Sequence, residues 1–141
     1  MLLSALIQWL HITAAVVGVG GIAFMRLILI PSLGQVDQAA RERLLQSVLP
    51  KFRLTVWTVI GVLIGSGIYN LLTADHLADP RYRTMLEVKL LLAVTLFAIS
   101  FGLTLPYPAL AGMQKQRPRW LAVNLVLGII ILFFSAYLRR I

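Results

Sequence analysis

The chain has 141 residues, of which 60% are hydrophobic and 13% are charged, and its formal net charge is +8. Soluble domains carry about 25% charged residues, so this composition excludes an ordinary soluble protein and indicates a membrane protein. The absence of cysteine excludes disulfides, thiolate metal ligands and redox thiols. Because the basic residues lie mostly between the apolar stretches, we ascribe them to membrane topology and expect no nucleic-acid partner.

Four apolar stretches are long enough to cross a lipid bilayer as helices, which takes about 20 residues each. They cover residues 2–31, 54–72, 85–105 and 120–138. The first stretch lacks the basic start and the small-residue cleavage site of a signal peptide, so we expect it to be a span. The sequence therefore predicts a single all-α domain, an integral membrane four-helix bundle.

Between the first two spans, residues 35–49 carry apolar residues at helical spacing. This spacing predicts either a helix on the membrane surface or an extension of the helical structure between the spans. Pro50 follows directly, and we expect it to break the helix before the second span begins.

The basic residues are divided unevenly between the connectors. Seven of them lie in the first and third connectors, and four lie in the second connector and at the C-terminal end. Cytoplasmic loops carry the excess of Lys and Arg. The sequence therefore predicts a multi-pass protein of the cell inner membrane with both termini outside.

Among the ionisable residues within the predicted spans, His11, Arg26 and Lys89 are those from which a function can be argued. Such residues are costly in hydrocarbon, which makes them functional candidates. The topology predicts an outer polar layer of Gln8, His11, Tyr69, Asn70, Lys89 and Ser135. It predicts a separate inner polar layer of Arg26, Thr104 and Asn124.

Each of these signals also has a simpler explanation. His11 could hydrogen-bond between helices, and Lys89 and Arg26 could extend their charged ends to the membrane surface. Gly61 and Gly65 form a GxxxG pattern that packs helices together in lipid. His76, with its neighbouring aspartates, is typical of a solvated loop.

The stretches WLHITAAVVGVGGIAF, MRLILIP, KFRLTVWTVIGVLIGSGIYNLL and YRTMLEVKLLLA, in this order, resemble the copper-resistance-D-like membrane domain. The related HemJ-type protoporphyrinogen oxidases are similar in the first-span histidine, the later arginine and the third-span lysine. The resemblance implies haem b binding for His11 and roles in activity for Lys89 and Arg26. Val16, Val17 and Gly18 stand where the HemJ-type pattern has an aromatic residue.

Charge distinguishes haem from copper at the outer layer. Lys89 would repel a copper ion near His11, and the Cys and clustered Met that select Cu(I) are missing. A haem or porphyrin carries two anionic propionates, which Lys89, Arg81 or Arg83 could neutralise.

In a haem site, His11 would be the axial metal ligand. Gly18 would leave room for the macrocycle on the same helix face. The second axial position would be open, or would be filled by Gln8, Tyr69, Lys89 or a partner protomer's histidine.

We therefore predict a haem-b-binding redox protein that exchanges electrons with a quinone, a redox partner or a tetrapyrrole. The alternatives are a copper transport or resistance protein and a non-catalytic membrane subunit. Packed helices lie about 8–10 Å apart, so four of them barely enclose a macrocycle. We therefore expect a homodimer, formed through Gly61 and Gly65 or through the third span.

Overall fold

The computed structural model describes residues 1–75 and 77–140, and this part of the chain contains four long helices. They are α1 (Leu2–Phe24), α2 (Gln38–Leu72), α3 (Pro80–Thr104) and α4 (Arg117–Leu138). Each lies in a helical stretch that is long and apolar enough to cross a membrane, and the described residues contain no strand. The prediction of an all-α membrane bundle is confirmed.

The first span continues past α1 as a π-helical turn, Met25–Leu29, followed by the short segments Ile30–Ser32 and Leu33–Gln35. In this turn the N–H of Ile30 donates to the carbonyl of Met25, five residues earlier. Pro31 gives a physical reason, because it has no N–H for the Leu27 carbonyl and its ring crowds that carbonyl. Turns of this kind occur often at functional sites, and this one carries Arg26.

The break expected at Pro50 does not occur. Residues 38–49 instead extend the second span, and α2 runs without interruption from Gln38 to Leu72. Its start is capped by Asp37, whose carboxylate accepts the backbone N–H of Ala40 at 2.8 Å.

Pro50 removes one backbone hydrogen bond, because it has no N–H to donate to the carbonyl of Gln46. The residues on either side of it, Val48, Leu49 and Phe52, pack against the hydrophobic core. Packing of this apolar face offsets the lost hydrogen bond, which is how tertiary contacts override a helix-breaking residue.

The four helices form two closely packed pairs, α1 with α2 and α3 with α4. Smaller contacts between α1 and α4 and between α2 and α3 join the pairs. The central core cluster lies towards one end of the bundle and consists of Ile22, Met25, Ile99, Leu103 and Leu121. These residues come from the end of the first span, the end of α3 and the start of α4; this end of the bundle is called inner after the predicted orientation, and the opposite end outer.

The outer half of the bundle is packed less tightly. The first buried residue of α1 is Ala14, and the first buried residue of α3 is Ile99. The segments of α1 and α3 that precede these residues therefore have no fully buried side chain. In α1 and α3, full burial is thus confined to the part of each helix nearer the inner end.

Gly18 lets α1 approach α2 closely. A Cβ atom added at Gly18 would lie 2.9 Å from Cγ1 of Val59, whereas one added at Gly20 would meet nothing within 4 Å. Small residues at such positions allow helix backbones to approach each other in lipid. Gly18 is therefore part of the α1–α2 contact.

We expect Gly18→Ala to destabilise the bundle. Overpacking typically costs about 1–3 kcal/mol, and alanine recovers up to about 1 kcal/mol of helix propensity. Equilibrium unfolding in detergent, followed by circular dichroism, should therefore show a net loss of about 1–2 kcal/mol. Gly20→Ala is the matched control and should be neutral or slightly stabilising; an equal response of the two variants would contradict the close α1–α2 contact.

Candidate functional site

A ladder of polar side chains joins α1 to α2 in the outer half of the bundle. Ser4, Gln8 and His11 lie on one face of α1, because residues three and four apart share a helix face. Each of them is hydrogen-bonded to a side chain of α2: Ser4 Oγ with Tyr69 Oη at 3.0 Å, Asn70 Nδ2 to Gln8 Oε1 at 3.0 Å, and His11 Nδ1 with Ser66 Oγ at 2.7 Å. In lipid these bonds replace those that water would make.

The bond between His11 and Ser66 fixes the tautomer of the imidazole. The Ser66 hydroxyl also lies 2.6 Å from the carbonyl of Val62, and it has only one proton to donate. Both bonds are made only if Ser66 donates to Val62 and accepts from Nδ1–H of His11. In the neutral imidazole the lone pair is then on Nε2.

Nε2 of His11 is free to take a ligand. It has no hydrogen-bond partner among the described residues, and it is not one of their buried unpartnered atoms, so it reaches the surface of the bundle. The ring lies beside α2, since a Cβ added at Gly67 would be 3.8 Å from its Cε1 atom. A histidine that ligates a metal typically donates its other ring N–H to an oxygen, as His11 does here.

Lys89 adds a positive charge near this imidazole. It is half-buried on α3, and its ammonium lies within electrostatic range of His11 and of Arg139. Within residues 1–75 and 77–140 the ammonium has neither a hydrogen-bond partner nor an ion-pair partner. The structure therefore brings His11 and Lys89 to the same outer layer, as the topology predicts.

The two arginines at the start of α3 are engaged elsewhere. Arg81 donates to Tyr137 Oη at 2.7 Å, and its guanidinium carbon lies 5.9 Å from the centre of that ring. Arg83 pairs with Glu87 at 3.3 Å on the exposed surface. Both contacts lie at the outer end of α3. Lys89 is the cation of this helix that lies within electrostatic range of His11.

Three other residues singled out by the sequence analysis have partners within the bundle. Gly18 packs against Val59 in the α1–α2 contact, so it does not open a space for a macrocycle between those helices. Tyr69 is paired with Ser4. Ser135 donates to the Ile131 carbonyl of its own helix at 2.9 Å.

Arg26 is remote from this layer. It follows His11 by fifteen residues on one helical stretch, a separation of about 22 Å at 1.5 Å per residue. Its Nε atom is buried and has no hydrogen-bond partner. Arg26 and Lys89, the two residues for which the resemblance implies activity, therefore do not share a site.

Thr104 and Asn124, the other members of the predicted inner layer, both line a small cavity near the core. Ser100 and Trp57 complete their hydrogen-bond network. The two-layer arrangement predicted from the sequence is therefore present, although Arg26 makes no hydrogen bond to the inner network.

Ser66 is a partner that the sequence analysis missed. It is buried on α2, one turn before Asn70, and therefore shares the face that meets α1. The spacing from Asn70 is the signal that could have identified it.

The described residues contain no group of three His, Cys, Asp or Glu side chains that could hold a metal ion. His76, which belongs to the loop with Asp75 and Asp79, lies outside the described residues. A larger cavity of about 280 Å³ lies between α1 and α2 at their inner ends, beside Met25 and Phe52, and it does not include His11 or Lys89.

Comparison with protein families gives a match to copper resistance protein D over residues 46–138, about two thirds of the chain. The match covers most of α2 together with α3 and α4, so it includes the fourth span and Lys89 but not His11 or Arg26. It supports the resemblance to copper-resistance-D-like domains and adds nothing to the resemblance to HemJ-type oxidases. No curated protein and no solved structure matches the chain. With four spans and a family match of this extent, the chain is a multi-pass membrane protein that belongs to the copper resistance protein D family.

Proposed function

We propose that the protein serves a copper-related process in the membrane by binding a metal centre at its outer polar layer, with Nε2 of His11 as a ligand. The observation that carries this proposal is the hydrogen bond from His11 Nδ1 to Ser66, which leaves the Nε2 lone pair unpartnered. The open outer half of the bundle supports access to this atom.

A copper ion is the first candidate for the metal centre, because the chain belongs to a copper resistance family. Imidazole nitrogen is a suitable ligand for copper. One histidine without a cluster of further His, Cys, Asp or Glu in the described part of the chain fits a transient site, from which the ion passes on. In this form copper is the cargo of the protein.

Haem b is the second candidate, and the charge of Lys89 favours it. Its ammonium has no counter-ion among residues 1–75 and 77–140, and such a charge repels a copper ion but attracts a propionate. Bound haem b would supply one-electron redox chemistry, with a quinone or a tetrapyrrole as the class of electron partner. Since Gly18 closes the α1–α2 contact, the open space for a macrocycle lies between the two helix pairs or against a second copy.

We expect His11→Ala to lower the affinity of the purified protein for its metal centre more than tenfold, because it removes the ligand atom. Ser66→Ala should weaken binding by about 10–100-fold, the usual effect of losing the group that orients a metal-ligating histidine. Competition with a Cu(I) chelator measures copper, and the Soret absorption of the reduced protein measures haem. Ser135→Ala is the matched control, because that hydroxyl contacts only its own helix.

The variant Lys89→Leu separates the two candidates by the sign of its effect. Removing the charge should raise the affinity for copper if the ion is the ligand, and it should lower the affinity for haem if the propionates are held there. Metal binding that is unchanged in His11→Ala would contradict the proposed site. A protein that binds neither copper nor haem would favour a non-catalytic membrane subunit.

We further propose that the protein is a homodimer that uses the exposed face of α2 around Gly61 and Gly65. A Cβ added at either glycine would meet nothing within 4 Å, so the GxxxG pattern is not used inside the bundle. Gly61→Leu should convert a dimer to a monomer in native mass spectrometry from detergent. Gly20→Leu, which also faces open space but lies on α1, should leave the mass unchanged, and a monomeric parent protein would contradict the dimer.

The proposed orientation in the cell inner membrane places both termini outside. The chain has no cysteine, so single substitutions can report it directly. Leu3→Cys and Arg140→Cys should react with an impermeant maleimide in intact cells. Gly34→Cys and Gly112→Cys, at exposed positions in the first and third connectors, should react only after the membrane is permeabilised; the reverse pattern would invert the topology.

A further inference from the structure

The inner layer contains a network of buried polar side chains from three helices. Trp57 Nε1 of α2 donates to Thr104 Oγ1 of α3 at 3.0 Å. Asn124 Nδ2 of α4 donates to Ser100 Oγ of α3 at 2.8 Å. Ser100, Thr104 and Asn124 are all buried, with 5%, 9% and 1% of their surface exposed.

Both hydroxyl protons of this network are already used. Ser100 donates to the carbonyl of Leu96 at 2.9 Å, and Thr104 donates to the carbonyl of Ser100 at 2.8 Å. A hydroxyl has one proton and two acceptor lone pairs. After accepting from Asn124 and Trp57, each hydroxyl oxygen therefore keeps one free lone pair and no free proton.

Asn124 has a further acceptor that nothing satisfies. Its Oδ1 atom is buried and has no hydrogen-bond partner. Asn124 as a whole is 99% buried within the bundle. Leaving such a group unpaired costs about 1–3 kcal/mol. The cost is expected to be met by a ligand, because the great majority of buried polar atoms are partnered.

A cavity lies at this position. It has a volume of about 10 Å³ and is lined by Ser100, Thr104 and Asn124 together with apolar side chains of all four helices. This volume is near the lower limit for one water molecule. The cavity therefore lies beside the side chains that carry the free lone pairs.

We propose that this cavity binds one water molecule, which donates one hydrogen bond to Asn124 Oδ1 and the other to the free lone pair of Ser100 or Thr104. A water molecule supplies two protons, one for Asn124 Oδ1 and one for either of the two hydroxyl oxygens. A small monovalent cation would lose its hydration shell in exchange for three uncharged oxygens, within a chain of net charge +8. The water molecule thereby links α4 to α3 at the inner end of the bundle.

Hydroxyl-radical footprinting of the intact protein in detergent tests the proposal, because radicals formed from a bound water label the side chains next to it. Ile22 and Leu121 line the cavity, whereas Ile60 and Ile99 are comparably buried and do not. We expect the oxidation of Ile22 and Leu121 to be several-fold faster than that of Ile60 and Ile99. Equally slow oxidation of all four residues would show a dry cavity and overturn the proposal.

A second measurement distinguishes water from a cation. The melting temperature in detergent should be the same in sodium, potassium and choline chloride, since a water site has no ion dependence. A rise specific to sodium that disappears in Asn124→Leu would overturn the proposal in favour of a cation site. The leucine should also fill the cavity and lower the oxidation of Ile22 to that of Ile60; oxidation that stays high would likewise contradict a water held by Asn124.

Discussion

The lipid bilayer offers no hydrogen bonds, and this constraint determines where every polar side chain of the bundle lies. Backbone groups are satisfied within the helices, and buried polar side chains find partners on their own or a neighbouring helix, with Arg26 Nε and Asn124 Oδ1 as exceptions among the described residues. In the outer half the partners are side chains of α1 and α2, which meet in the Ser4–Gln8–His11 ladder. In the inner half the partners come from α2, α3 and α4.

The same constraint explains how the connectors are used. The end of α3 leaves carbonyl groups without helical partners. Arg117 donates to the carbonyl of Leu103 at 3.1 Å, and Gln114 donates to that of Leu105 at 2.7 Å. Basic and polar residues that set the topology therefore also satisfy a helix end.

Much of the fold could be predicted from hydropathy alone. A stretch of about 20 apolar residues has few alternatives to a spanning helix, which is why the four spans were evident. The depth of a residue within an antiparallel bundle follows from its distance to the span end, so His11 and Lys89 could be assigned to one layer. The same comparison of depths brought Thr104 and Asn124 into one inner layer, and the structure shows both of them buried.

Features that depend on contacts with neighbouring helices could not be predicted from the sequence. Pro50 is helical because Val48, Leu49 and Phe52 pack on the core, and no local signal contains that packing. Gly18 contacts Val59 on another helix, so its role in helix packing could not be distinguished from a place for a ligand. The tautomer of His11 depends on a serine 55 residues away along the chain.

The uneven packing along the bundle separates two energetic demands. Apolar burial is concentrated at the inner end. There Met25, Leu103 and Leu121, from the first, third and fourth spans, form one cluster, and Phe52 of the second span packs against it. In the outer half, the hydrogen-bonded ladder of Ser4, Gln8 and His11 lies within the α1–α2 pair, and the bond of Arg81 to Tyr137 lies within the α3–α4 pair. Separating the two pairs there would leave the apolar cluster at the inner end intact. Access to His11 and the stability of the bundle can therefore depend on different residues.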